Sequence, residues 1–215
     1  MAGAGFFFPY TMSSTALQIC NAALIKLGAK TITAFTNDRK EAELCSARYP
    51  RIRDNILRSH VWAFAKQATT LETDEPSPIA IWSYVHQKPT DLNRIISVTD
   101  VNDVAIDYEL VGTYMHCDEP IIILRYITRY DAIDDEQDFP DDFGEAVAAM
   151  LAADLCIALT QTQALRDTYL NEYAVIISQA RFNGAVERAP AELKATAWTD
   201  VHNGGLLPDY STLLA

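Results

Sequence analysis

YPRIRDNILRSHVWAFA, residues 49–65, is the passage at which the chain changes rhythm. Up to Ser59 apolar residues recur at helical spacing, with Ala42, Cys45, Tyr49, Ile52 and Ile56 on one face. Beside them Arg48, Arg51, Asn55 and Arg58 make a polar, mostly basic stripe. Pro50 has no N–H to give to the Ser46 carbonyl, so a kink or break is expected there. After Ser59, residues 61–65 are aromatic and β-branched, and the sequence up to residue 130 reads as strands. A long amphipathic helix hands over to a sheet.

Within 61–130 short alternating runs are separated by turn formers. Residues 82–86 alternate, 88–91 form a turn, and runs at 94–99, 106–111, 113–117 and 121–128 follow closely. Gly112 and the 118–120 turn separate the last three, which predicts a meander of hairpins. Residues 121–124 are apolar on both faces and predict the most buried strand.

On the N-terminal side, Thr15 and Gln18 have the spacing of a capping box. A first helix then runs through Leu17, Cys20, Ala23, Leu24 and Leu27 to Gly28, a good residue just past a helix end. A connector at 30–37 tucks Ile32 and Phe35 under the core, and the second helix starts near Asn37 or Asp38. Residues 1–12, MAGAGFFFPYTM, read as an arm, and Met1 and Met12 are both eligible starts. Phe6, Phe7 and Phe8 are costly in water and predict a partner surface.

On the C-terminal side, residues 131–145 carry eight carboxylates and no base. Asp138 can cap a helix, Pro140 suits its first turn, and Asp141 and Asp142 favour the positive end of its dipole. This third helix spans 140–159, where Ala146, Ala149, Ala153 and Ala158 allow another helix to approach closely. Asp154 interrupts its apolar run. It reads as the edge of a helix–helix seam satisfied by a Ser, Thr or Arg, with a buried pair at a subunit boundary as the sharper alternative. A fourth helix covers 164–186, using Leu165, Tyr169, Tyr173, Ile176, Ile177 and Ala180. Residues 187–215 combine breakers (Pro190, Gly204, Gly205, Pro208) with Leu206, Leu207, Tyr210, Leu213 and Leu214, and predict an extended tail that docks on a partner.

The helical blocks 13–59 and 140–186 each have one apolar face and need the other to cover it. The expected fold is therefore α+β: an antiparallel helical bundle with an inserted antiparallel β region at 61–130. The domain spans 13–186 and carries an N-terminal arm, 1–12, and an extended C-terminal tail, 187–215.

Composition narrows the function. A net charge of −12 over 215 residues argues against gripping nucleic acid through a general basic surface. The four cysteines show no CxxC spacing and no histidine at ligand distance, and neighbours such as His116, Cys117 and Asp118 rarely converge on one metal. No metal or cofactor is expected, and a reducing cytoplasm is the simplest compartment of synthesis. There is no Gly-rich phosphate loop, GxSxG or HExxH. No targeting segment is evident, and the longest apolar run, 146–159, is short of the ~20 residues of a membrane span, so no membrane partner is expected.

The order of these elements has a likeness. A helix ending in Leu27-Gly28 leads to a connector carrying Ile32, then to a helix ending Arg53-Asp54-Asn55-Ile56-Leu57-Arg58, followed by Trp62, Phe64 and Ala65. A turn with Pro89 and Asp91, a small β region and two helices opened by Phe139, Pro140, Asp141, Asp142 and Phe143 complete it. Over residues 15–186 the chain resembles the tail tubular protein A family of short-tailed bacteriophages, the head-to-tail adaptors. Specificity lies in the order and spacing of these words, none of which is a catalytic fingerprint.

The resemblance implies a structural virion protein of the tail or neck. It would be a ring subunit, twelve to a ring, between the portal and the tail nozzle, with no cofactor and no enzymatic role. Tail fibres stand as a further candidate partner, and DNA passes through the centre without sequence-specific binding. A ring needs one face of a subunit to meet a different face of the next. The candidate interface residues are Arg48, Arg51 and Arg58 against Asp135, Asp138, Asp141 and Asp142, opposite charges that guide register. The remaining acidic surface would line the lumen and repel DNA phosphates. Two rivals stand beside this reading: a virion-associated cell-wall hydrolase using carboxylates of 131–145, and a small scaffold or binding protein that forms no ring.

Overall fold

A computed structural model describes residues 13–130 and 139–186. In chain order they form β1 (Ser13–Ser14), α1 (Ala16–Lys26), α2 (Lys40–Ser59), β2 (Lys66–Glu72), β3 (Tyr84–Gln87), β4 (Leu92–Thr99), β5 (Glu109–Val111), β6 (Tyr114–Cys117), β7 (Ile121–Thr128), β8 (Phe139–Pro140), α3 (Asp141–Thr160) and α4 (Gln163–Val186). These make a mixed α+β fold of four helices and two small antiparallel sheets, with β1 and β8 as an added two-residue pair. The arm at 1–12, residues 131–138 and the tail at 187–215 lie outside the described residues.

Local signals set the helix ends. Thr15 Oγ1 accepts from the Gln18 N–H at 3.3 Å and Gln18 Oε1 accepts from the Thr15 N–H at 2.8 Å, which completes the capping box. At the other end Gly28 takes φ +65°, and the N–H groups of Gly28 and Ala29 donate to the Ile25 and Leu24 carbonyls. That double closure is the reason a glycine stands there. Both amide atoms of the Asn21 side chain bond the backbone of Ile32, which pins the connector and buries Ile32.

The second helix departs from expectation twice. It begins at Lys40, because residues up to Arg39 are spent on turns closed by the Asn37 and Arg39 N–H groups. It also runs unbroken through Pro50. Proline removes one hydrogen bond, whereas Ala42, Cys45, Tyr49, Ile52, Ile56 and Leu57 are buried along both halves and hold the helix in one piece.

The third helix is the centre of the packing: α1, α2 and α4 all contact α3. Ala146, Ala149 and Ala153 are buried there, while Ala158, five residues on and turned about 140° away, is exposed. Gly144 admits β1, since a Cβ at that position would stand 2.9 Å from Ser14 Cβ. By length and composition α3 is apolar enough to cross a membrane, and it is mostly buried inside the protein. Gln161, at φ +57°, ends it.

The strands do not form one meander. β7 lies between β2 and β4, β6 lies between β3 and β5, and β6 and β7 do not pair. Ile122, Leu124 and Tyr126 line one face of β7 and, with Val98 of the neighbouring strand β4, cluster with Met115 and Cys117 of β6. An apolar central strand needs neighbours on both edges and a second layer on its face, which a flat meander would not provide. Residues 61–65 are not a strand: Trp62 and Ala65 turn into the helical core and β2 starts at Lys66.

Candidate functional site

Four aromatic residues from two distant stretches, Trp62 and Phe64 with Phe139 and Phe143, come together in space. Phe143 stacks edge-on against Trp62 and Phe64, with ring centroids at 5.2 and 5.0 Å. Phe139 meets Phe64, Phe143 and Tyr130 at 6.0, 5.2 and 5.3 Å. The two aromatic words, 62–64 and 139–143, thus form one seam joining the end of α2 to the start of α3. Edge-to-face geometry adds to what burial of the rings alone gives. Trp62 Nε1 donates to the Ile56 carbonyl at 3.1 Å, so its polar atom is satisfied inside the core.

Arg53 is the buried charge of this seam, only 2 % exposed. Its Nε donates to Asp54 Oδ1 at 2.9 Å and its Nη2 donates to the Tyr130 carbonyl. The guanidinium also stands over the rings of Tyr49 and Tyr130, 5.6 and 5.5 Å from their centroids. Burial pushes the Tyr49 hydroxyl pKa up. Sequence reading missed this role for Arg53, although a signal existed: Arg53 is four residues past Tyr49, on the apolar face rather than on the basic stripe.

Asp91, from the Pro89–Asp91 turn, ties that turn to β7. Its carboxylate accepts from Tyr126 Oη at 3.0 Å and from Thr128 Oγ1 at 2.9 Å, and its carbonyl accepts from the Arg129 N–H at 2.7 Å. Burial, with the hydrogen bond and charge of Asp91, pushes the Tyr126 phenol up to about 12. Arg58, Asn93 and Arg94 knit α2 to β4: Arg58 Nη1 donates to the Asn93 carbonyl and Arg94 Nη1 to the Arg58 carbonyl.

The candidate interface charges scatter over several partners. Arg48 makes a two-pronged pair with Asp154 across α2 and α3, at 2.5 and 2.7 Å, the seam-edge role expected of Asp154. Arg48 therefore spends its charge within the chain. Arg58 is exposed and bonded to Asn93. Arg51 is exposed and has no hydrogen bond or ion pair among the described residues. Asp141 accepts from Ser14 Oγ at 2.7 Å, and Asp142 accepts from the Phe143 N–H at 2.8 Å and from Asn183 Nδ2 at 3.3 Å. Both act as anchors of the α3 start, and neither meets Arg48, Arg51 or Arg58 within the chain. Asp135 and Asp138 lie outside the described residues, as do Phe6, Phe7, Phe8, Leu206, Leu207, Tyr210, Leu213 and Leu214.

His116 and Cys117 face opposite sides of β6, as alternation along a strand requires, and Asp118 lies just past the strand's end. His116 Nδ1 bonds Ser77 Oγ, Cys117 Sγ donates to the Glu119 carbonyl, and Asp118 Oδ1 accepts from Ser83. Among the described residues no group of three His, Cys, Asp or Glu side chains is placed to hold a metal. All four cysteines are free and buried.

No protein-family model matches the chain. No curated protein matches it either.

Proposed function

We propose that this chain is a structural ring subunit, a head-to-tail adaptor standing between the portal and the tail nozzle of a short-tailed bacteriophage. One observation carries the reading. The words that resemble the adaptor family, scattered over more than a hundred positions, occupy structural posts: Gly28 closes α1, Arg53 clamps α2 to the carbonyl of Tyr130, a residue outside those words, Asp91 staples the β4 turn, and Trp62, Phe64, Phe139 and Phe143 form one seam. Of these, Trp62 and Phe64 in one word meet Phe139 and Phe143 in another, which supports reading the two words as one structural feature.

In this reading the helices form an antiparallel bundle with the β region as an insert, and residues 187–215 strap the subunit to a neighbour or to the portal. The aromatic arm, with Phe6, Phe7 and Phe8, is a second docking segment. Charge guides the register between copies, with Arg51 as the arginine of the α2 stripe that has no hydrogen bond or ion pair among the described residues. Acidic surface facing the lumen lets DNA slide without adhering.

The test is attachment. Portal-bearing, tailless particles from the same phage, incubated with the full chain, should gain a collar at the portal vertex by electron microscopy. Particles that stay bare while their portals remain intact would overturn the proposal.

A further inference from the structure

The loop between β4 and β5 is built more rigidly than a connector needs. Asp100 Oδ1 accepts from the Asn102 and Val104 N–H groups at 2.9 and 2.8 Å, and Thr99 bridges Ala105. Asp103 is held in the left-handed region at φ +64°, and its carboxylate pairs with Arg125 Nη2 at 2.9 Å. A left-handed non-glycine residue carries a steric cost that its surroundings have to offset. Among the side chains this framework presents to solvent are two large apolar ones: Val101 is 62 % exposed and Val104 is 59 % exposed, with exposed Asn102 between them. Asp103 also stands between them and Asp107 follows, both exposed.

A surface of the opposite character lies at the other end of the sequence. A groove of about 510 Å³ opens where the end of α1 meets the start of α2. Half-buried Leu27, Ala29 and Leu159 line it, with exposed Lys30, Arg39 and Lys40 and one acid, Glu41. Lys40 Nζ is steadied by the Ala158 carbonyl at 2.7 Å, near the negative end of α3. Charge is divided along the chain in the same sense: residues 13–65 hold eight bases and four acids, and residues 66–128 hold four bases and ten acids.

We infer that the 100–107 loop of one copy docks in the groove at 27–41 of the next copy, with Val101 and Val104 against Leu27, Ala29 and Leu159 and the acidic side of the loop, Asp107 foremost since Asp103 is paired with Arg125, at the basic edge. The occupant is a second copy of this chain because the two surfaces are complementary and differ, and a contact between unlike faces propagates into a ring or filament. The inference rests on the ring-subunit reading and names the contact that closes it. Charge sets the approach and register, so the contact weakens as salt is raised.

The experiment uses the full chain and its solution mass, with folding checked by circular dichroism. Val104→Lys should lower the association constant at least tenfold, and Lys30→Glu with Arg39→Glu should do the same. Mixing that charge-reversed protein with Asp103-intact, Asp107→Lys protein should restore part of the association. A Val104→Cys, Ala29→Cys double variant treated with diamide should give a ladder of disulfide-linked multimers, the native cysteines being buried. A parent that forms multimers while the variants match it and no ladder appears overturns this contact and leaves the ring-subunit reading standing. A parent that remains a single copy, alone and with the portal, overturns both.

Discussion

Arg53 in α2 and Tyr130 just past β7 are 77 residues apart in sequence, and the guanidinium of one donates to the carbonyl of the other. The same guanidinium stands 5.5 Å over the Tyr130 ring. This contact fixes where the chain leaves the strands, and so where the aromatic seam to α3 begins. Arg53→Met should destabilise the fold by about 3 kcal/mol, toward the low end for a broken buried ion pair because the Asp54 side chain is partly exposed. Arg53→Lys should rescue little, since a point charge gives up the planar fork and the stacking. Chemical denaturation checks it, and a loss below about 0.5 kcal/mol, the usual size for an ordinary surface change, would contradict the role given to Arg53.

The Asp91–Tyr126 bond predicts an alkaline signature. The folded phenol is raised from 10.0 to about 12. A group raised in the folded state contributes stability that is fully present below its unfolded value and is lost as pH rises through its folded value. Stability should therefore fall between pH 10 and 12, and the fall should be shallower in Tyr126→Phe. The phenolate absorbance difference between the parent and Tyr126→Phe should titrate near 12, and Asp91→Asn should move it down. A difference spectrum centred at 10 would contradict the burial of this phenol, and one that Asp91→Asn leaves unmoved would contradict the bond.

Gly144 is a test of close packing. A Cβ there stands 2.9 Å from Ser14 Cβ, close to backbone that has little room to give. Overpacking costs about 1–3 kcal/mol, and alanine's helix preference offsets about 1 kcal/mol of it. Gly144→Ala should therefore lower stability by about 1 kcal/mol and free the β1–β8 pair. Thermal denaturation measures the first, and faster amide exchange at Ser14 measures the second. A more stable Gly144→Ala would show that β1 does not sit tightly on α3.

What the sequence made legible was mostly local. The buried face of α2, the capping box at Thr15 and Gln18 and the Gly28 end depend on neighbours within one or two turns, and spacing reveals such neighbours. The burial of β7 was legible in part from its composition: Ile122 and Leu124 are fully enclosed, whereas Ile121 is exposed and Ile123 half-buried, so only one face of 121–124 is covered. The split into two sheets was not, because β2, β4 and β7 pair across long separations that no local pattern encodes. Arg53 was hidden for a different reason. Charge in a helix is ordinarily read as surface, and only the rings of Tyr49 and Tyr130, one of them distant in sequence, turn that position into an interior one. The acidic pair Asp141 and Asp142 was legible as a helix start, whereas the partner of Arg48 was legible only from the Asp154 side.

The tail carries a prediction about attachment rather than folding. A chain ending at Val186 keeps α1 to α4 and β1 to β8, and should retain the parent's circular dichroism. If residues 187–215 strap the subunit to a neighbour or to the portal, the truncated chain should attach to portal-bearing particles at least tenfold more weakly. Equal attachment would remove the strap from the account. Loss of the helical signal would show instead that the tail belongs to the fold.

The most direct measurement is the number of copies in the assembly. Native mass spectrometry of the full chain bound to isolated portal should show twelve copies added per portal ring, about 287 kDa as twelve times 23.9 kDa. One or two copies per portal, or no added mass at all, would contradict the central claim that this chain is a ring subunit.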